Sequence, residues 1–190
     1  MGGQTYPFSY TYNLAGALET EVYPSNRSIQ SCYDVAGRLL NVNGSSSGKP
    51  TAYASGMTYA PQGAIQSLKY GNTLAEAWVY NNRLQPTAIS VGTAASARSG
   101  FGADLYYCPN KGATCVTNNG NLRTESLSIL GVDQNFGYDS RNRLLSAGEG
   151  GASWAQAYGY DVYGNRYVPT GAISPFTPTV PTNFDADNRL

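Results

Sequence analysis

One short motif recurs along this 190-residue chain, and its period constrains the fold more than any other feature. Cys32-Tyr33-Asp34-Val35-Ala36-Gly37-Arg38-Leu39 returns as Gly137-Tyr138-Asp139-Ser140-Arg141-Asn142-Arg143-Leu144, and again as Gly159-Tyr160-Asp161-Val162-Tyr163-Gly164-Asn165-Arg166. Looser copies begin at Thr11-Tyr12-Asn13, with Gly16 in the glycine place, and at Asn183-Phe184-Asp185, ending at Arg189-Leu190. Weaker ones are Thr58–Ile65, Thr117–Leu122, and Val79-Tyr80-Asn81-Asn82-Arg83-Leu84, which reads as a copy with a residue or two missing. The position after the aromatic, with Val116 in the aromatic's place in one weak copy, falls at 13, 34, 60, 81, 117, 139, 161 and 185, so the basic unit is 21 or 22 residues, with longer gaps in two places.

The unit has a mechanical reading. A strand ends at an aromatic residue, and Asp or Asn then opens a turn by accepting backbone N–H groups on its side chain. Gly or Asn three residues on takes a positive φ. Flanks alternate with period two, as in Phe8, Tyr10 and Tyr12 before a turn and Leu18, Thr20 and Val22 after it. Each repeat is therefore a β-hairpin, and because one hairpin cannot bury its aromatic face, neighbours must pair edge to edge. The expectation is an all-β fold: one array over residues 1–190, with about eight hairpins, roughly sixteen strands and no internal domain boundary. The long gaps read as insertions near 44–52, which is Ser/Gly-rich, and near 92–116, which bears two cysteines.

Composition agrees and removes several classes of function. Tyr 16 and Gly 22 stand against Lys+Arg 12, Asp+Glu 12 and no His, at zero formal net charge. Tyr favours strands and Gly the turns between them. Without a basic cluster, the electrostatic footprint of nucleic-acid binding is missing. No apolar run reaches the length of a membrane-spanning helix, and the N-terminus lacks a signal peptide's pattern. Three cysteines without CxxC spacing do not make a zinc site. Cys108 and Cys115 bracket a loop, so a disulfide between them and a pair of reduced thiols are both compatible with the sequence, and Cys32 is left over.

Little in the chain points to catalysis. Gly44-Ser45-Ser46-Ser47-Gly48 fits the letter of a nucleophile elbow, but there is no His to serve as base. Asp34, Asp139, Asp161 and Asp185 recur once per unit, which the unit explains better than an active site does. The expectation is a chain that is not an enzyme and holds no cofactor or metal. The motif arginine reads either as a solvated charge or as the ion partner of the turn Asp, stacked on the next repeat's Tyr; a planar guanidinium favours the second. Trp78 and Trp154 read either as ligand-facing rings or as filling for the seams between hairpins.

On these residues the chain resembles the RHS/YD-repeat family, whose motif is Tyr-Asp-x-x-Gly-Arg-Leu. Tyr33, Asp34, Gly37, Arg38 and Leu39 match it in full. Tyr138, Asp139, Arg143 and Leu144 match with Asn142 for Gly. Tyr160, Asp161 and Gly164 match with Asn165 for Arg, followed by Arg166. Tyr12, Asn13 and Gly16, Tyr80, Asn81 and Arg83, and Asp185 and Arg189 carry partial copies. The resemblance implies a β-ribbon that coils into a hollow shell around a C-terminal toxin, in secreted or cell-surface proteins of bacteria, with teneurin-type adhesion proteins as relatives. Two departures stand out: such shells use many more than eight repeats, and the Asp-Pro-x-Gly self-cleavage motifs are absent here. Since the chain stops within a motif, it reads as part of a longer protein. Two functions follow as expectations. The chain is wall for a shell enclosing a toxin or other cargo, or it is a surface module binding carbohydrate or an adhesion partner through Tyr and Trp. In either case open sheet edges should drive self-association or pairing with the remainder of a shell.

Overall fold

The computed structural model describes residues 5–46, 49–112, 114–150, 154–171 and 177–189. These residues form fourteen strands and no α-helix: β1 (Ser9–Tyr12), β2 (Leu18–Val22), β3 (Ser28–Tyr33), β4 (Leu39–Ser46), β5 (Lys49–Tyr59), β6 (Ile65–Tyr70), β7 (Ala75–Tyr80), β8 (Pro86–Gly92), β9 (Phe101–Tyr106), β10 (Thr124–Leu127), β11 (Val132–Tyr138), β12 (Leu144–Glu149), β13 (Ala155–Tyr160) and β14 (Arg166–Thr170). They follow one another in an open sheet in chain order, and every recorded pairing is antiparallel. The chain packs as two compact units, Met1–Gly102 and Ala103–Leu190.

In the first unit the motif turns after β1, β3, β5 and β7 share one construction. The amide of the first turn residue donates to the carbonyl four residues on, and the fourth residue's amide donates back to the carbonyl of the first: Asn13 with Ala17 and Gly16, Asp34 with Arg38 and Gly37, Ala60 with Ala64 and Gly63, Asn81 with Gln85 and Leu84, all at 2.8 to 2.9 Å. The fourth residue has positive φ each time, 80° at Gly16, 77° at Gly37, 86° at Gly63 and 64° at Leu84. This is a tight turn closed by a left-handed residue and a one-residue bulge, and the pairing register shifts just before each turn. No residue is missing from the copy at Tyr80. Leu84 occupies the glycine place and Gln85 the arginine place, so the copy has full length, whereas its sequence had suggested a deletion.

The same turn closes the opposite ends of two hairpins, where no motif marks it. Tyr23 bonds to Arg27 and Asn26, and Tyr70 to Leu74 and Thr73, with φ of 60° at Asn26 and 71° at Thr73. In the Ser/Gly-rich stretch expected as an insertion near 44–52, the described residues extend β4 and β5, with Gly44 paired to Thr51. Gly44 serves the sheet by its smallness. A Cβ there would stand 2.1 Å from Tyr53 Cε2, so the tyrosine ring lies over the bare glycine backbone.

In the second unit the motif turns after β11 and β13 repeat the construction, at Asp139 with Arg143 and Asn142 and at Asp161 with Asn165 and Gly164. Asp185 closes the same turn with Arg189 and Asn188, but the 3-10 turn Pro181–Asn183 precedes it and no strand flanks it among the described residues. The copy at Thr117–Leu122 makes no hairpin. Asn118 and Asn119 turn their side chains onto the amides of Gly120 and Asn121, a local alternative that replaces the turn closure. The expected insertion near 92–116 contains β9, whose alternation places Ala103 and Leu105 inside and pairs it with β10. These losses and gains leave fourteen strands in place of sixteen.

The core is thin. Met57, Ala60 and Leu68 are the buried apolar residues of the first unit, and Ala103, Leu105, Cys108, Ala147 and Val168 those of the second. No large side chain among the described residues is fully buried, so cohesion falls to the strand ladders and to contacts between neighbouring hairpins.

Candidate functional site

The recurring surface is the seam between hairpins, and the motif residues build it. At each turn the Asp or Asn Oδ1 accepts two backbone amides, from the residues two and four positions on, at 2.8 to 3.1 Å: Asn13, Asp34, Asn81, Asp139 and Asp161 all do so. Asp185 repeats this toward Asp187 and Arg189. The second oxygen is also engaged. Asp34 Oδ2 takes Arg38 at 2.7 Å, Asp139 Oδ2 takes Arg143 at 2.7 Å, and Asp161 Oδ2 takes the Asn165 carboxamide at 2.8 Å.

These contacts tune the carboxylates downward. Backbone hydrogen bonds from the segment ending at Arg38, then its guanidinium, hold Asp34 below the usual carboxylate range, and Arg143 does the same for Asp139. At Asp161, desolvation pushes upward and the Asn165 and backbone hydrogen bonds outweigh it. A carboxylate held ionised with its oxygens so committed is a poor proton shuttle, and the geometry is that of a latch.

The motif tyrosine reaches the preceding repeat. Tyr33 donates its hydroxyl to the Leu18 carbonyl at 2.8 Å, Tyr59 to Leu39 at 2.6 Å, Tyr80 to Ile65 at 2.8 Å and Tyr160 to Leu144 at 2.9 Å. In every case the acceptor is the residue that opens the second strand of the hairpin before. The arginine reaches the following repeat: Arg38 lies 4.8 Å from the Tyr59 ring centroid and Arg143 4.2 Å from that of Tyr160. Each of these arginines thus joins its own turn Asp to the next tyrosine. Arg166, one place beyond Asn165, lies over Tyr158 at 5.2 Å instead.

Among the described residues, β1 pairs with β2 alone. Tyr12 is the motif tyrosine of the first hairpin, and it is 60% exposed on a strand whose four residues all face solvent. Tyr6, Phe8 and Tyr10 extend the aromatic stripe, with Phe8 stacked on Tyr10 and edge-on to Tyr23.

The two tryptophans differ in setting. In the first unit Trp78 and Tyr80 present near-parallel rings, 13° apart in plane with centroids 6.4 Å apart, along a groove of about 440 Å³ between the turns after β5 and β7. The Trp78 indole N–H is held by Glu76, whose other carboxylate oxygen takes the Tyr70 hydroxyl. In the second unit Trp154 is 38% exposed and donates to Glu149 at 3.3 Å, and among the described residues no ring stacks on it. Cys108 and Cys115 are joined as a disulfide, and Lys111 within their loop pairs with Asp133, which also accepts the Ser126 hydroxyl at 2.6 Å. Cys32 is a free thiol. No group of residues suited to a metal occurs among the described residues. Among the described residues no helix is long and apolar enough to cross a membrane.

The fold is similar to that of large toxin structures. The chain matches the TcdB2-TccC3 crystal structure with a TM-score of 0.71 and 17% identity over 85% of its length, and the Photorhabdus luminescens Tc holotoxin pore with a TM-score of 0.70 and 17% identity over 86%. It spans about 9% of either of those chains. Those structures contain RHS-repeat shells, and at this identity the likeness is one of fold. No protein-family model matches the chain, and no curated protein matches it significantly.

Proposed function

We propose that this chain is a non-catalytic wall segment of an RHS/YD-type shell that encloses or presents a C-terminal toxin or other cargo. The observation that carries this reading is the tyrosine bond across the seam, made by Tyr33, Tyr59, Tyr80 and Tyr160 to the hairpin before each. A hairpin with a donor for its predecessor and an arginine for its successor is a unit for indefinite extension, which is what a wall requires. Likeness in fold to toxin shells supports the same role. The carboxylates of Asp34, Asp139 and Asp161 are spent on latching, which supports a structural role for the motif.

The Cys108–Cys115 disulfide favours an oxidising compartment, in keeping with a secreted or cell-surface protein. The partner at the β1 edge is then another hairpin of the same kind, supplied by the remainder of the shell. Sequencing the reading frame on both sides of this chain tests the proposal. Further Tyr-Asp repeats, followed by an Asp-Pro-x-Gly motif and an unrelated C-terminal domain, are the expected result. Stop codons on both flanks with no further repeats would overturn it.

A further inference from the structure

Asparagine is followed by glycine twice in the chain, at Asn43-Gly44 and at Asn119-Gly120. Such a pair carries a reaction of its own, because glycine has no Cβ to hinder its main-chain nitrogen from closing on the preceding side chain. The two pairs stand in opposite settings. Asn43 lies inside the β4 ladder, paired with Gln30 on one side and Ala52 on the other, and the Tyr53 ring covers Gly44. Asn119 and Gly120 are exposed, in the copy that makes no hairpin. There the Gly120 amide donates to Asn118 Oδ1 at 3.0 Å and the Asn121 amide to Asn119 Oδ1 at 3.2 Å. The Asn119 carboxamide in turn donates to Asn142 Oδ1 at 2.7 Å, beside the Asn121 carboxamide at 3.0 Å, and so ties this copy to the turn after β11.

We propose that Asn119 is a self-modification site, converted by water to aspartate and isoaspartate, and that the conversion releases this tie. The Gly120 nitrogen gives its proton to solvent base and attacks Asn119 Cγ. The bond from Cγ to the side-chain nitrogen breaks, ammonia leaves, and a cyclic imide remains. Water then adds to the imide. At the side-chain carbonyl it gives aspartate, and at the main-chain carbonyl it gives isoaspartate, whose backbone runs through the former side chain and is longer by a methylene. Reaching the imide at Asn119 opens exposed side-chain contacts, whereas at Asn43 two strand ladders must part. Either product carries a carboxylate where the carboxamide was, and a carboxylate has no hydrogen to donate to Asn142 Oδ1.

The test ages the purified chain in mildly alkaline buffer at body temperature and follows both Asn-Gly pairs by peptide mapping, with isoaspartate read by enzymatic methylation. In the folded chain Asn119 should convert about tenfold faster than Asn43 or more, and in denaturant the two should convert at similar rates. Gly120→Ala places a Cβ beside the attacking nitrogen and should slow conversion at Asn119 about tenfold, in denaturant as well as in the folded chain. Once Asn119 has converted, hydrogen exchange in the peptide that holds Asn142 should be several-fold faster than in fresh protein. Equal rates at the two pairs in the folded chain would overturn the inference. So would conversion at Asn119 that Gly120→Ala leaves unchanged, and exchange around Asn142 that stays constant through full conversion would overturn the release.

Discussion

At the residue scale, the motif works because one side chain satisfies several backbone donors at once. The Oδ1 of Asn13 or Asp34 takes two amides that the turn would otherwise leave to water, and this contact is shared by Asn and Asp. The fourth position was legible in the sequence where Gly or Asn marks it and hidden where Leu84 does, because a leucine at φ of 64° gives no sign of left-handed backbone. Leu84 is 54% exposed, so replacing it forfeits little burial. Leu84→Asn should therefore raise stability by about 0.5–1 kcal/mol in chemical denaturation. The converse is Gly37→Val, where a Cβ meets no atom within 4 Å and the cost is backbone alone, about 1–2 kcal/mol. If both variants unfold at the wild-type midpoint, the left-handed position carries no strain. The carboxylates add a pH dependence. Asp34, Asp139 and Asp161 are held below their ordinary values in the folded state. Their contribution is thus fully present above the unfolded pKa of about 4 and lost as pH falls through the lowered folded values. Thermal midpoints should decline below about pH 4. Asp34→Asn with Asp139→Asn should keep the turns and flatten that decline, and an unchanged acid limb would show that the latches do not titrate with folding.

At the element scale, hairpins, their antiparallel order and the turn positions followed from period and motif, since side-chain chemistry repeats wherever the turn does. The strands that escaped notice are those without the motif. Gly44 looks like linker beside the following serines, and its place under the Tyr53 ring depends on a residue in the next strand. The copy at Thr117–Leu122 looks like a turn, but its asparagines bond locally and the Arg123 amide goes to Tyr106 at 2.7 Å, drawing the chain into β10. Trp78 was singled out by residue type alone, while the Glu76 contact that fixes it needed the register of β7. The seam bond can be weighed directly. Tyr160→Phe removes only the hydroxyl that reaches Leu144 and should cost about 1 kcal/mol in unfolding free energy, and a neutral substitution would make the bond incidental. The β1 edge, with Phe8 and Tyr10 exposed and no charged residue among Ser9–Tyr12, should also pair with other strands. Light scattering should show association that grows with concentration and is suppressed by Tyr10→Lys. A monomer at all concentrations would mean that the edge is closed in solution.

At the scale of the whole molecule, a small core and many seams describe a protein whose stability is shared among neighbours, each hairpin leaning on the next. This was foreseeable from tyrosine and glycine content together with a 21-to-22-residue period, because such units have too little apolar volume to fold singly. What the sequence left open is the use to which the sheet is put, since a ligand or partner depends on chemistry that the motif does not encode. The most direct test is single-particle cryo-electron microscopy of the complete product of the gene that encodes this chain. The account predicts a hollow particle whose wall includes these fourteen strands, with density for a separate C-terminal domain inside. A particle in which these hairpins pack around a solid interior, or form no part of an enclosing wall, would contradict it.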